Sequence, residues 1–351
     1  MERKWIDNIK IVEPYIPGEQ PKDENIIKLN TNECPYPPSP LVNDAIKNFD
    51  YGNLRLYPSI NCDRLKSIIS ENYNVSKDMI FLGNGSDEVL ALCFMTFFNS
   101  DKPVLFPDIT YSFYDVWCKL YNIKYEKIPV SDNFEIISKD YFKENGGIVI
   151  ANPNAPTGLY LEIEEIEEIV KNNEKSIVII DEAYIDFGGE SAVSLVNKYN
   201  NLVVVHTFSK SRALAGIRVG FAILNSELKS YLEAVKNSFN SYTLNSLSIT
   251  AAEKSMSDLE YFQKCREKII STRNRTINIL NSIGFKTLNS KSNFVFTTCQ
   301  NQKASYLYEY LKSKKIIVRF FDKPRINNYL RITIGTDYQM DKLFEELKNC
   351  L

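Results

Sequence analysis

Histidine is almost missing from this 351-residue chain: there is one, His206. A histidine-rich metal cluster is therefore excluded, and serine or cysteine nucleophiles are left without their usual base. The seven cysteines, Cys34, Cys62, Cys93, Cys118, Cys265, Cys299 and Cys350, are widely spaced and include no Cys-x-x-Cys pair. Neither a zinc site nor a disulfide framework is indicated, and most of them read as small buried hydrophobes in a reducing compartment. No apolar run is long enough to cross a membrane, and the opening Met1-Glu2-Arg3-Lys4-Trp5 has no apolar signal core; the expectation is a cytoplasmic protein. Charge of neither sign is in excess. A net charge of -2 offers no basic field to gather nucleic acid or acidic lipid. His206 itself ends an apolar run and reads as a strand-end histidine with a backbone partner. With these side chains so scarce, a cofactor is the simplest source of difficult chemistry.

What is present is a globular balance, 44% hydrophobic and 25% charged, on a chain long enough for one large domain and a smaller one. Short apolar runs alternate with helix-length amphipathic stretches. Met79 to Leu82, Val104 to Phe106, Gly147 to Ile150, Ile177 to Ile180, Leu202 to Val205 and Val219 to Leu224 read as strands, several of them continuous enough to be buried on both faces. Asp87 to Phe98 and Tyr111 to Tyr121 read as helices. Leu161, Ile163, Ile166, Ile169 and Val170 recur at helical spacing, and the glutamates between them form a solvated face. This alternation implies an α/β fold, a largely parallel sheet with helices on both faces. Beyond about Asn245 long helices to about Ser282, then strands near 293–298, 316–320 and 329–334, suggest a smaller α+β domain. The expected division is a large domain over 30–245 and a small one made of 1–29 and 246–351.

Ligands of open parallel sheets sit beyond the carboxyl ends of the strands. After Phe81-Leu82 comes Gly83-Asn84-Gly85-Ser86-Asp87-Glu88, a turn of small residues opening a helix. Free helix N–H groups there suit a phosphate; no Gly-Lys-Ser/Thr follows, so it is not a P-loop. The plain alternative is an ordinary turn capped by Ser86 or Asp87. After Ile177 to Ile180 comes Asp181-Glu182-Ala183-Tyr184. A carboxylate ending a buried strand needs a cation, either a structural arginine or a protonated pyridine nitrogen. After Val203 to His206 comes Thr207-Phe208-Ser209-Lys210, with Arg218 eight residues on. Lys210 can form an imine with an aldehyde, while Thr207, Ser209 and Arg218 suit a phosphate. Together the pieces read as one site: phosphate cradle, ring-nitrogen carboxylate, imine lysine and phosphate arginine.

These residues resemble fold-type I pyridoxal phosphate (PLP) enzymes, and most closely the histidinol-phosphate aminotransferase family. The resemblance runs from about Tyr15 to the C-terminus through Leu29 to Tyr36, Leu56-Tyr57-Pro58, Gly85 to Glu88, Asn152 to Gly158, Asp181 to Tyr184, Thr207 to Arg218 and Leu330 to Thr336. It implies a fold-type I transferase: a large, mostly parallel α/β/α sheet domain and a smaller α+β domain. By that similarity Lys210 is the Schiff-base lysine and proton shuttle, Asp181 pairs with the pyridine nitrogen, and Tyr184 bonds the ring hydroxyl oxygen. Tyr111 stacks on the ring. Ser86 and Asp87 give backbone N–H groups to the phosphate, beside Thr207, Ser209 and Arg218. Tyr57 reaches the cofactor of a neighbouring subunit, which implies a homodimer. The family often has Asn immediately before Pro-Thr-Gly to bind the ring hydroxyl; the position is Ala155, and Asn154 is the candidate to take over that contact.

The substrate clue is positive charge near the end of the chain. Arg331 lies where the family binds the anionic group of its substrate, Arg319 resembles a second arginine of that site, and Tyr15 resembles a tyrosine that also reaches the anion. Two arginines and a hydroxyl suit a phosphate dianion better than one carboxylate, although an interdomain salt bridge is an alternative for Arg319. Arg325 and Arg55 have no assigned role. The leading expectation is amino-group transfer between L-histidinol phosphate and 2-oxoglutarate, in histidine biosynthesis, with no nucleic-acid, membrane or metal partner. A decarboxylase resembling threonine-phosphate decarboxylase, a general aromatic or aspartate-type aminotransferase, and a non-catalytic PLP-sensing module stay open.

Overall fold

The computed structural model describes residues 5–21 and 25–351; the first four residues of the opening segment, and 22–24 within the expected small domain, lie outside the described residues. The chain begins with strand β1 (Ile27–Lys28) and helices α1 (Pro40–Lys47) and α2 (Asp63–Tyr73). Then β and α elements alternate: β2 (Ile80–Gly83), α3 (Gly85–Phe97), β3 (Val104–Pro107), α4 (Phe113–Tyr121), β4 (Tyr125–Ile128), β5 (Gly147–Ala151), α5 (Ile163–Lys171), β6 (Val178–Asp181), β7 (Leu202–Thr207) and β8 (Gly220–Leu224). Helices α6 (Ser226–Phe239), α7 (Ser246–Ser257) and α8 (Leu259–Ser282) follow. The last part holds β9 (Phe285–Thr287), β10 (Phe294–Cys299), α9 (Ala304–Ser313), β11 (Ile316–Ile317), β12 (Arg319–Phe320), β13 (Leu330–Thr333) and α10 (Asp337–Cys350).

Seven strands form one sheet in the order β2-β8-β7-β6-β5-β3-β4, parallel except for β8, which runs against both its neighbours. The continuous apolar runs become strands buried along their whole length, as β5, β6 and β7 are. Alternate residues feed two cores, one on each face. Ile148, Ile150, Ile180 and Val204 point into one, and Val149, Ile179, Val203 and Val205 into the other. Strand β4 was not anticipated. It is an edge strand whose Glu126 and Lys127 are exposed, so it carries little of the apolar signal that marks the central strands.

A four-stranded antiparallel sheet, β12-β13-β10-β9, backs onto α8, α9 and α10 around a third core. The first segment joins this unit, because β1 pairs with β11 and Leu29 is buried in that core. The helical stretch expected to run from 246 to 282 is broken at Asp258. This residue ends α7 and caps α8, its carboxylate accepting the Tyr261 N–H. The break separates two packing partners. Ile249, Ala251, Ala252 and Met256 of α7 fill the core of the large sheet beside α1 and α2, whereas Ile269 and Leu280 of α8 belong to the small-sheet core. Helix α7, placed with the small domain by the sequence, thus packs with the large sheet.

A fourth, smaller core joins the two sheets: Ile109, Val130 and Phe134 from one side meet Phe296 and Ile326 from the other. Arg325, for which the sequence offered no role, clasps its edge. It pairs with Asp108 at 3.0 Å and donates to the carbonyls of Val130 and Ser131 at 2.9 and 2.7 Å. Arg55 is exposed. No described helix is long and apolar enough to cross a membrane, and no cluster of metal-ligating side chains occurs among the described residues.

The central strands weigh heavily in stability, since their alternate residues pack into a core on each side of the sheet. Ile180→Ala, at a fully buried β6 position, is expected to cost about 2–5 kcal/mol. Chemical denaturation, with the slope unchanged, measures it.

Candidate active site

The parallel strands all end at one edge, and β8, being reversed, begins there; Gly83 and Thr207 both stand opposite Gly220. The residues following β2, β3, β5, β6 and β7 and preceding β8 therefore share one floor, whatever their distance in sequence.

At the start of α3 no side chain caps the helix; Asn84, the residue before it, makes no such bond. Glu88 Oε2 accepts the Asn84 N–H at 2.6 Å, and the first N–H groups of the helix, those of Ser86 and Asp87 among them, take no side-chain cap and suit an anion. Two glycines let Arg218 and β8 approach this turn closely. Gly85 has φ +81°, and a Cβ on it would lie 2.4 Å from Arg218 Nη2; a Cβ on Gly220 would lie 2.4 Å from the Ser86 nitrogen. Arg218 Nη2 pairs with Asp87 Oδ2 at 3.1 Å, and Nη1 donates to Ser209 Oγ at 3.4 Å. Thr207 Oγ1 donates to Ser209 Oγ at 3.1 Å, and the Tyr111 hydroxyl donates to Asp87 Oδ1 at 2.8 Å. Tyr111, Asp87, Arg218, Ser209 and Thr207 are thus one connected network.

Asp181, at the end of β6, is 5% exposed. Its carboxylate accepts the Tyr114 hydroxyl at 2.9 Å and the Ala183 N–H at 3.2 Å, and it has no ion-pair partner among the described residues. Burial pushes its pKa up to about 6, against the pull of those two hydrogen bonds. Such a carboxylate is complementary to a cation placed beside it. Tyr114, in the first turn of α4, was missed by the sequence reading; its ring meets that of Tyr111, just before the helix, edge to face with centres 5.7 Å apart.

Behind Asp181, His206 does not have the expected backbone partner. Its Nε2 lies 3.2 Å from Glu182 Oε2, and its ring stacks on Phe221. Burial raises the Glu182 pKa to about 8 and lowers that of His206 to about 4. Near neutral pH the pair is therefore an uncharged acid against an uncharged imidazole, a structural prop.

Lys210 follows β7 with its Nζ 5.6 Å from the centre of the Tyr184 ring. Lys210, Tyr184, Tyr111, Tyr15 and Ala155 all line a cleft of about 720 Å³. Asn154 does not have a free amide for the cleft. Its Nδ2 donates to the Ile109 carbonyl at 2.9 Å and to Thr157 at 3.3 Å, and its oxygen accepts from Thr110 at 2.8 Å. It stands 1% exposed, tying the loop after β5 to the loop after β3. Tyr57 is distant in role: it is 81% exposed and stacks on Tyr242.

The opposite wall comes from the small sheet. Arg319 on β12 stands directly across from Arg331 on β13, a pairing of like charges that normally destabilises a sheet. Neither arginine has a carboxylate partner among the described residues, so Arg319 does not form the interdomain salt bridge that was its alternative. Arg331 donates to the Asn30 carbonyl at 3.0 Å, and its Nε is buried without a partner. Both guanidinium groups lie within 5.5 Å of the Phe321 ring centre. Tyr15, stacked on Phe113 with ring centres 4.2 Å apart, completes the wall; burial raises its pKa while Arg331 and Arg319 pull it down.

Comparison with known proteins agrees with this geometry. Residues 24–347 match the family described as aminotransferase class I and II. The chain is 50% identical over 351 residues to histidinol-phosphate aminotransferase of Clostridium botulinum (strain Okra / Type B1), covering all of this chain and 99% of that one. The crystal structure of the histidinol-phosphate aminotransferase from Clostridium acetobutylicum superposes with a TM-score of 0.83 at 27% identity, over 93% of this chain and 99% of that one. The Sinorhizobium meliloti enzyme of the same name, in complex with pyridoxal-5'-phosphate, gives 0.83 at 24% identity over 92% and 90%, a likeness of fold. The chain belongs to the aminotransferase class I and II family. It is an enzyme with the fold-type I architecture, a pyridoxal-phosphate-dependent transaminase.

The raised carboxyl groups make stability depend on pH. A buried acid whose pKa is raised by folding costs nothing below its ordinary value and its full penalty above the raised one. The cofactor-free protein is therefore expected to lose stability as pH rises from the ordinary carboxylate range to about 6 through Asp181, and on to about 8 through Glu182. Asp181→Asn should make the decline below about pH 6 shallower and leave the part between about 6 and 8, as read from denaturation midpoints at each pH.

Proposed function

We propose that the enzyme transfers the amino group between L-histidinol phosphate and 2-oxoglutarate, as a cytoplasmic step of histidine biosynthesis, with pyridoxal 5'-phosphate held on Lys210. The observation that carries the substrate reading is the Arg319–Arg331 pair. Two unneutralised guanidinium groups set across adjacent strands, with the Tyr15 hydroxyl above, call for a ligand of two negative charges. A phosphate monoester supplies them, and a single carboxylate leaves one cation unmatched. The relatives that share half of the sequence carry the name of that activity.

The residues fit the cofactor at both its ends. The N–H groups of Ser86 and Asp87, with Thr207, Ser209 and Arg218, would hold its phosphate, Gly85 and Gly220 letting the arginine and β8 come close to the turn. Asp181, already pushed toward wanting a cation, would hold its pyridine nitrogen protonated. When bound, the cofactor supplies an electron sink for the carbon that carries the amine. Lys210 then serves as the base that takes the proton from that carbon and returns it one position along, from its place under Tyr184. Tyr111 would pack on the ring, its hydroxyl held by Asp87. Tyr184 would hydrogen-bond the ring hydroxyl oxygen. The arginine wall holds the substrate's phosphate and so points its amine toward Lys210.

A homodimer belongs to the same proposal. Leu54, Leu56, Tyr57 and Ile60 are about half or more exposed on one short segment, an apolar surface suited to a second copy of the chain. From there Tyr57 would reach the phosphate of the neighbouring subunit's cofactor.

A single half-reaction tests the substrate. Enzyme loaded with pyridoxal phosphate is mixed with L-histidinol phosphate and no 2-oxo acid, and the visible band is followed. Rapid loss of the band to the pyridoxamine form is expected, since this substrate has no carboxylate to lose as carbon dioxide. An intact band would refute the substrate and leave the decarboxylase or the general aminotransferase reading. Lys210→Ala should keep the fold and abolish turnover. Arg331→Ala should raise KM for the phosphorylated substrate by roughly tenfold or more while the cofactor stays bound, measured by steady-state kinetics beside a cofactor titration.

A further inference from the structure

The ring hydroxyl oxygen of the cofactor is the one polar atom for which the floor of the cleft has lost an expected partner. Ala155 stands at the position where the family often has Asn, and the amide of Asn154 is spent on Ile109, Thr157 and Thr110. That leaves Tyr184, whose phenol can either donate its proton to that oxygen or turn it elsewhere. The direction is decided by residues on the other side of the phenol.

Asn32 Nδ2 lies 2.8 Å from the Tyr184 hydroxyl. Asn32 is 1% exposed and sits at φ +55°, a left-handed conformation that asparagine tolerates better than most residues. Its backbone is pinned as well: the Asn293 amide donates to its carbonyl at 3.0 Å. The proton directions follow from one fixed donor. The Asn32 backbone N–H donates to Thr333 Oγ1 at 3.0 Å. A hydroxyl has one proton, and that of Thr333, a residue 3% exposed, finds its acceptor in Asn32 Oδ1 at 3.1 Å. Turning the amide over would leave the buried Thr333 proton without an acceptor, which is the costlier arrangement. Oδ1 therefore faces Thr333, and Nδ2 faces Tyr184. Tyr184 accepts from Asn32, so its own proton is directed away, toward the cleft that Tyr184 lines with Lys210. Accepting one hydrogen bond also makes the phenol a stronger donor of the next.

We propose that Asn32, fixed by Thr333, is a positioning residue: it commits the Tyr184 proton to the ring oxygen of bound pyridoxal phosphate and so takes the place of the donor missing at Ala155. The proposal rests on the reading of the cleft as a pyridoxal phosphate site. Its chemical consequence concerns the nitrogen of Lys210 when it is joined to the cofactor. A donor at the ring oxygen stabilises negative charge there, and the nitrogen that shares a proton with that oxygen holds it less tightly. Because Thr333 lies on β13 of the small sheet while Tyr184 follows β6 of the large one, the Thr333–Asn32–Tyr184 chain of hydrogen bonds also ties the end of β6 to the small sheet.

The test is a spectral pH titration of the cofactor-loaded enzyme without substrate, reading the midpoint of the colour change. Asn32→Ala is expected to raise the midpoint by about one pH unit in the parent enzyme and to have no further effect in the Tyr184→Phe background. An unchanged midpoint in Asn32→Ala with cofactor bound overturns the proposal. So does an equal shift in both backgrounds, because the effect then bypasses the phenol. Should Asn32→Ala show no cooperative melting, Thr333→Val carries the same two expectations, as it removes only the atom that orients the amide. Absence of any visible band when the parent protein is mixed with pyridoxal phosphate overturns the cofactor reading itself, a result distinct from a bound cofactor with an unshifted midpoint.

Discussion

The structure depends on holding one carboxylate out of water at the end of a buried strand. Asp181 closes a run of residues packed on both faces, and its pKa stands near 6 because of that desolvation. Everything near it either tolerates the strain or awaits its relief. Tyr114 and the Ala183 N–H soften the penalty without supplying charge. Glu182, the next residue, is buried on the opposite side and escapes the same difficulty by staying protonated against His206. Adjacent acids thus meet burial differently, one set against an imidazole and one left without a cation among the described residues.

A second constraint is the geometry of the sheet edge. Parallel strands that finish together convert distances of tens of residues into one floor. The reversed strand β8 lets Arg218, arriving from the far side, point back at the turn that opens α3. Arg218 is held there by Asp87 and Ser209 before any ligand arrives.

The strands of the large sheet and the order of the chemical residues along it were legible because continuous apolar runs and strand-end motifs are local in sequence. Features decided across long separations were not. The edge strand β4 has no apolar contrast. Helix α7 is amphipathic whichever sheet it serves, and only the break at Asp258 shows that it faces the large one. Asn154 was expected to point into the cleft from its neighbourhood of Pro-Thr-Gly, yet its amide is captured by the backbone of Ile109, 45 residues away. Asn32 and Thr333 are 301 residues apart and meet only because the first segment lies along β13. Arg325 gave no sign in sequence of its grip on Asp108, for the same reason.

The facing arginines of β12 and β13 have a further effect. Their repulsion is built into the small sheet whenever no anion lies between them, so any ligand that neutralises them is a structural component as well as a reactant. By mass action the folded population then follows the concentration of that ligand. The free chain is then the less stable and more easily proteolysed form, and resistance to proteolysis rises with the ligand that fills the gap between the two arginines.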